Sequence, residues 1–81
     1  TVISYQLSGV RDVQLEVYNL LGQKIMTLVD ARQGAGEYRV RWDGRDRHGS
    51  PVGSGVYFYR LSANGNNSAP AVQTRKMILL R

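Results

Sequence analysis

Alternation of apolar and polar residues at every second position is the feature that most restricts what this chain can fold into. It is clearest in "GEYRVRWD", where Tyr38, Val40 and Trp42 fall on one side and Arg39 and Arg41 on the other. Successive side chains of a β-strand point to opposite faces of a sheet. The segment therefore predicts a strand with one buried and one solvated face.

The same kind of pattern recurs along the chain, and the repeats are separated by clusters of Gly, Asn, Asp, Ser and Pro that are typical of turns. No segment combines a sustained helical period with capping residues, so we expect almost no helix. Short strands at this spacing predict an all-β antiparallel sandwich of about six to seven strands. The predicted strands are 1–7, 13–20, 23–30, 36–43, 54–64 and 72–81.

Size and composition limit what such a sandwich can hold. A chain of 81 residues buries only about 60–65% of its unfolded surface, which leaves one modest core and no room for a deep substrate cavity. The sequence has no cysteine, so neither a disulfide nor a thiolate metal site is available. The polar segment "NGNNSAPA", at 64–71, is predicted to be the most mobile loop.

Charge and hydropathy narrow the classes of partner. Eleven basic and six acidic residues give a net charge of +5, but the cations are mostly isolated. We interpret them as ordinary solvated faces and predict no nucleic-acid partner.

No apolar run approaches the roughly 20 residues of a membrane-spanning helix, and residues 1–9 lack the pattern of a signal peptide. With no initiator Met, the chain is interpreted as one domain, 1–81, excised from a longer polypeptide.

Candidate catalytic and metal-binding residues are few. His48 is the sole histidine, and no serine lies on a strand-to-helix elbow. Asp43 and Asp46 would offer oxygen ligands for Ca²⁺, but Arg45 and Arg47 lie between and beside them and oppose a cation. An Asx turn in which Asp43 accepts backbone N–H groups is the simpler interpretation. We predict no catalytic residue, no metal, no cofactor and no enzymatic activity.

The aromatic residues allow one further interpretation. Most share a face with aliphatic residues, as Trp42 does with Val40, and a small domain needs such rings for its core. Tyr18 and Phe58 fall on the opposite faces of their strands. If they were exposed and coplanar they would suit a carbohydrate-binding module.

Three quoted blocks carry a resemblance to a known family: "VQLEVYNLLGQKIMTL", "QGAGEYRVRWDGRDRHGSPVGSGVYFYRL" and "TRKMILLR". Over nearly its whole length the chain resembles the type A C-terminal sorting domain of the type IX secretion system. It is also similar to the Ig-like domain of the flagellar hook-capping protein. The residues of the shared motif, to which we assign a role in folding, are Gly22, Trp42, Asp43, Gly44, Gly49, Gly55 and Tyr57.

The resemblance implies an Ig-like sandwich and a non-catalytic sorting function. A domain of this kind directs a covalently attached N-terminal cargo, expected to be an enzyme, across the outer membrane. Its expected partner is the secretion machinery of that membrane. Its expected location is the periplasm in transit, then the cell surface or the medium. In such domains the final strand carries the export address, which here predicts recognition through Lys76, Met77, Ile78, Leu79, Leu80 and Arg81.

The final strand leaves two alternatives open, because aliphatic residues occur on both of its faces. It is either an edge strand whose exposed apolar side chains are offered to a partner, or a central strand covered on both sides. The main alternative function is a structural Ig-like interaction or spacer module, as in hook-capping proteins or multidomain enzymes. A carbohydrate-binding module is the third class.

Overall fold

The computed structural model describes residues 1–65 and 70–81, and these residues form six antiparallel strands in two sheets. One sheet has the order β1-β4 and the other the order β3-β2-β5-β6. The described part of the chain contains no helix, and the predicted all-β sandwich is confirmed. The strands are β1 (Val2–Leu7), β2 (Arg11–Asn19), β3 (Lys24–Gln33), β4 (Gly36–Arg41), β5 (Gly55–Asn64) and β6 (Ala71–Leu79).

Among residues 1–65 and 70–81, no helix has the length and hydropathy that crossing a bilayer would require.

The core lies where the sequence alternation predicted it. On β2, which is central in its sheet, Val13, Leu15 and Val17 are at most 1% exposed. Full burial of a side chain of this size stabilises the fold by about 1.5–3 kcal/mol. The β1–β4 sheet contributes to the same core from the other side. The remaining buried hydrophobic residues are Ile3, Leu7, Trp42, Tyr57, Leu61 and Met77.

An aromatic pair supports the small β1–β4 sheet. Tyr5 and Tyr38 lie directly opposite each other in the ladder, and their rings stack with centroids 5.3 Å apart. The Tyr5 hydroxyl donates to Gln33 Oε1 at 2.6 Å, and burial raises the pKa of this hydroxyl. Such a cross-strand pair helps to hold together two strands that would be marginal alone.

Strand β3 differs from its prediction in length and in regularity. It continues to Gln33 instead of ending at Asp30. Its ladder with β2 shifts register twice, which leaves Leu28 and Ile25 as extra residues. Both are half-buried against the core. These two β-bulges explain why the apolar residues of β3 do not follow a strict period of two.

Strand β6 is an edge strand, so the interpretation of the C-terminal segment as a central, doubly covered strand is wrong. It pairs with β5 at nine positions, from Ala71 to Leu79, without a register shift. Leu80 and Arg81, predicted to be part of the strand, lie beyond it. Local alternation could not settle this point, because it specifies faces and not neighbours. The predicted mobile loop at 64–71 includes residues 66–69, which lie outside the described residues.

Candidate functional site

The Trp-Asp-Gly segment after β4 is anchored in the core by its tryptophan. Trp42 is 1% exposed, and its ring packs on the Tyr57 ring with centroids 5.0 Å apart and planes inclined at 66°. Its Nε1 donates to the carbonyl of Arg45 at 3.0 Å, so the indole is satisfied within its own loop. The backbone N–H of Trp42 donates to the Thr1 carbonyl at 2.9 Å. Trp42 and Tyr57 therefore pack against each other in the core, and the folding role assigned to them from the motif stays a prediction.

The C-terminal residue closes over the loop that follows Trp42. The Arg81 backbone N–H donates to Ser54 Oγ at 3.0 Å, and its Nε donates to the Val52 carbonyl at 2.5 Å. The Arg81 guanidinium also donates to the Gly44 carbonyl. That carbonyl accepts a second hydrogen bond from the Val52 N–H at 2.9 Å. Arg81 thus links the end of β6 to the 44–54 loop.

Gly44 is the position where this contact is tightest. It is buried and has a φ of +75°, a left-handed conformation that a side chain resists. A Cβ built at Gly44 would lie 2.6 Å from the Arg81 guanidinium and 3.1 Å from Leu79 Cδ2. The backbone conformation therefore favours glycine at position 44, and a side chain there would also displace the Arg81 guanidinium and press on Leu79.

The turn between β2 and β3 is organised by Asn19. Its Oδ1 accepts hydrogen bonds from the N–H groups of Leu21 and Gln23, both at 3.0 Å. Gly22 completes the turn with a φ of +81°. The other predicted motif glycines also have positive φ, at Gly49 (+81°) and Gly55 (+152°).

The acidic pair of the loop does not act as predicted. Asp46, and not Asp43, forms the Asx turn: its Oδ1 accepts from the N–H groups of His48 at 2.9 Å and Ser50 at 3.0 Å. The hydrogen bond from Ser50 is the main reason why the pKa of Asp46 is lowered. Asp43 instead lies 3.6 Å from Arg45 in an exposed ion pair. The Asx turn expected at Asp43 is wrong because Asp46, three residues later, is positioned before the amides that complete the turn. The folding role assigned to Asp43 stays a prediction.

The six residues predicted to carry recognition divide between two environments. Three of them support the fold: Met77 is 6% exposed, Leu79 is half-buried beside Gly44, and Arg81 contacts the loop. The other three face outward, and they are Lys76, Ile78 and Leu80, of which Ile78 is 60% and Leu80 83% exposed. Their role in recognition stays a prediction.

Tyr18 and Phe58, chosen from the sequence as candidate exposed rings, lie directly opposite each other on the outer face of the larger sheet. Both are half-buried, and they line a shallow cleft of about 280 Å³ with Leu20, Arg60 and Thr74. Leu20, a residue that the sequence pattern did not indicate as part of a site, is 70% exposed. Carbohydrate binding by this cleft stays a prediction.

The role of Arg81 as a link to Gly44 could not be found from the sequence. The two residues are 37 positions apart, and no local pattern joins them. The signal available was indirect: a glycine that follows Trp-Asp predicts an unusual backbone but not the group packed against it.

Comparison with known proteins supports the relation to hook-capping proteins. The family model of the FlgD Ig-like domain matches residues 1–67, most of the chain and five of its six strands. Strand β6 follows the matched range, although its Met77 completes the core. No curated protein matches this chain. The chain belongs to the FlgD Ig-like domain family.

Proposed function

We propose that this domain is a non-catalytic structural and interaction module of a longer polypeptide. The observation that carries the proposal is the family match over residues 1–67, together with a sandwich whose interior is filled by its own side chains. Ig-like sandwiches serve many proteins as rigid units that position or bind other domains. Fold alone does not define function, so the surface that makes contact must be identified separately.

The absence of catalytic activity is proposed from the residues of the loop. His48 lies in an exposed turn, where its Nε2 accepts a hydrogen bond from Arg47 Nε at 3.4 Å. Oδ1 of the nearby Asp46 carboxylate accepts hydrogen bonds from two backbone amides. Hydrolytic chemistry needs a nucleophile, a base and an orienting group in mutual contact. In this loop the polar side chains of Asp46 and His48 instead form hydrogen bonds within the turn itself.

A second candidate function is sorting by the type IX secretion system, with the cargo, machinery and surface location that the resemblance implies. The observation that favours it is the exposure of Ile78 on the edge strand and of Leu80 directly after it. Exposed aliphatic residues on an edge strand favour aggregation, and transient recognition by a secretion machinery is one reason to retain them.

A reporter fusion separates these two functions. Residues 1–81 are fused to the C-terminus of a reporter routed to the periplasm, in a host that has the type IX machinery. A structural module leaves the reporter in the periplasm, whereas a sorting domain delivers it to the surface or the medium. Export of the unaltered fusion would overturn the proposed function.

Matched variants make the assay specific for the last strand. The Ile78→Ser/Leu80→Ser variant removes the exposed aliphatic residues and leaves Met77 in the core. Its control is Leu20→Ser/Leu21→Ser, since those leucines are similarly exposed, at 70% and 83%, in the β2–β3 turn. A sorting signal in β6 predicts loss of export in the first variant only. Deletion of 76–81 would be a poorer test because it removes Met77 and Arg81, which hold the fold.

A further inference from the structure

We propose that β6 is a docking edge to which an extended acidic segment of a partner polypeptide adds as a fifth strand of the larger sheet. The inference deepens the proposed function, and it rests on the domain being an interaction module. Strand addition at an open sheet edge supplies affinity through main-chain hydrogen bonds and specificity through the alternating side chains.

The geometry of β6 suits strand addition. Among the described residues β6 pairs only with β5. The N–H and C=O groups along its second edge therefore have no hydrogen-bonding partner on a neighbouring strand. The ladder runs through nine positions, from Gly55 opposite Leu79 to Ala63 opposite Ala71, with no bulge. A regular, unbulged edge is the form of strand that most readily accepts another one.

The charge of β6 selects the chemistry of the added strand. Residues 55–81 contain Arg60, Arg75, Lys76 and Arg81 but no Asp or Glu, so they contribute +4 of the net +5 charge. Arg75 and Lys76 are exposed, and because they are adjacent they point to opposite faces of the sheet. In the described part of the chain the two ion pairs use Lys24 and Arg45 instead. A strand beside β6 would therefore meet a cation at two consecutive positions.

The same residues argue against a second copy of this chain as the occupant. If two β6 strands paired antiparallel over their full length, Arg75 would lie opposite Arg75, or opposite Lys76 after a slip of one residue. Like charges directly opposite each other on neighbouring strands are destabilising. Two consecutive carboxylates in the added strand would instead be attracted to Arg75 and Lys76. An apolar side chain of the same strand would cover Ile78, which is 60% exposed on the outer face.

The direct test measures binding of two labelled synthetic peptides to the 81-residue chain by fluorescence anisotropy at low salt. One peptide has alternating β-branched residues around two consecutive glutamates, and the other has two lysines in their place. We expect saturable binding of the glutamate peptide and weaker binding, by about tenfold or more, of the lysine peptide. A tenfold ratio corresponds to about 1.4 kcal/mol. Equal binding of both peptides, or no binding of either, would overturn the inference.

Charge reversal shows whether the discrimination comes from β6. The Arg75→Glu/Lys76→Glu variant is expected to lose affinity for the glutamate peptide and to gain affinity for the lysine peptide. Loss of folding cannot produce such an exchange of preference, and the single variant Lys76→Glu serves if the double one does not fold. Arg39→Glu/Arg41→Glu, on exposed positions of β4, is the matched control with the same change in net charge. If this control lowers the affinity for the glutamate peptide as much as the β6 variant does, the effect is one of net charge and the proposal fails.

Hydrogen exchange distinguishes edge pairing from docking on a face. Strand addition protects those amides of 71–79 that point away from β5, whereas a peptide bound to the Tyr18–Phe58 cleft leaves them unprotected.

Concentration-dependent self-association through β6, seen by sedimentation, would show that a second copy is the occupant. Peptide binding is measured on the isolated 81-residue chain, so its result does not depend on the reporter assay. A retained reporter with no peptide binding removes this inference and leaves the proposed function standing, whereas an exported reporter overturns the proposed function whether or not the peptide binds.

Discussion

Strands β3 and β6 are the two edges of one sheet, and they differ in how the edge is treated. β3 carries two bulges, at Ile25 and Leu28, and the carbonyl of Ile25 accepts a hydrogen bond from the Arg47 N–H at 2.9 Å. Its edge is therefore irregular and in part covered by the 44–54 loop. β6 is regular along nine paired residues, and Ile78 on its outer face is 60% exposed.

The difference indicates which edge is available to a partner. Bulges and covering loops are the devices by which sheet proteins prevent unwanted pairing at an edge. On β3 the extra residues of the bulges are apolar and pack against the core, so the irregular edge also contributes burial. On β6 neither device is present within the described residues, and only the cations Arg75 and Lys76 limit what pairs there. Charge then selects the partner where shape does not exclude it.

The largest effect is expected from the two methionines of the chain, which lie one on each edge strand. Met77→Ala should lower the free energy of unfolding by about 2–4 kcal/mol, because Met77 is 6% exposed and its truncation leaves a cavity in the core. Met26 on β3 is only half-buried, so Met26→Ala should lower the free energy of unfolding by about half as much. Urea denaturation of both variants measures the difference. Equal losses would show that β6 is no more integral to the core than β3.

Gly44→Ala tests the attachment of the end of β6 to the loop. The left-handed backbone at Gly44 alone should cost about 1–2 kcal/mol, and displacement of Arg81 and Leu79 adds to this. In an Arg81→Ala background the same substitution should cost less, because the nearest side chain has been removed. Chemical denaturation of the four proteins of this cycle gives the coupling. A cycle without coupling would mean that Arg81 does not restrain Gly44.

Acid should weaken the loop that covers the edge of β3. The folded pKa of Asp46 is lowered, so the unfolded state binds more protons as the pH falls. The stabilisation is present above the unfolded value of 3.8 and is lost as the pH falls through the lower folded value. Asp46→Asn should therefore show a smaller decrease in urea midpoint between about pH 6 and pH 3 than the unaltered protein. An identical decrease in both proteins would contradict this assignment.

The smallest effect on stability is expected from a charge placed on each edge. Ile78→Lys and Thr27→Lys both alter exposed positions and should change the free energy of unfolding by less than about 0.5 kcal/mol. Their effects on aggregation should differ, because only β6 offers a regular apolar edge. Light scattering during heating should show slower aggregation for Ile78→Lys and little change for Thr27→Lys. Equal protection by both substitutions would show that β3 is an open edge as well.

The sequence predicted most of the fold because alternation is a local property. The buried faces of β2 and β5 follow directly from it, as Leu15 and Tyr57 show. On β4 the same alternation leaves Val40 half-buried and its neighbours Arg39 and Arg41 exposed. β3 was harder to predict, since two bulges shift the pattern and its last residues, Ala31 to Gln33, are not a strongly apolar run. Side chains alternate along β3 as well, but this alternation predicts the buried face only where each residue of one strand lies opposite a single residue of its neighbour.

Much less of the candidate site could be predicted. The motif glycines indicated unusual backbone, and all four have positive φ. The Asx turn was assigned to Asp43 instead of Asp46, because either carboxylate has turn-forming residues after it in the sequence. The division of the last six residues into inward and outward groups depends on Met77 entering the core, and the aliphatic residues on both faces gave no indication of which would do so.

By itself, the sequence determined which face of most strands is buried and where the chain turns, because side-chain direction along a strand and the conformations of glycine are set within a few residues. Only the tertiary structure decided that β6 lies at an edge and that Arg81 reaches Gly44 across 37 positions. These depend on which strands become neighbours when one shared core is filled. Neighbours are chosen by packing over the whole molecule, and a local pattern contains no record of that choice.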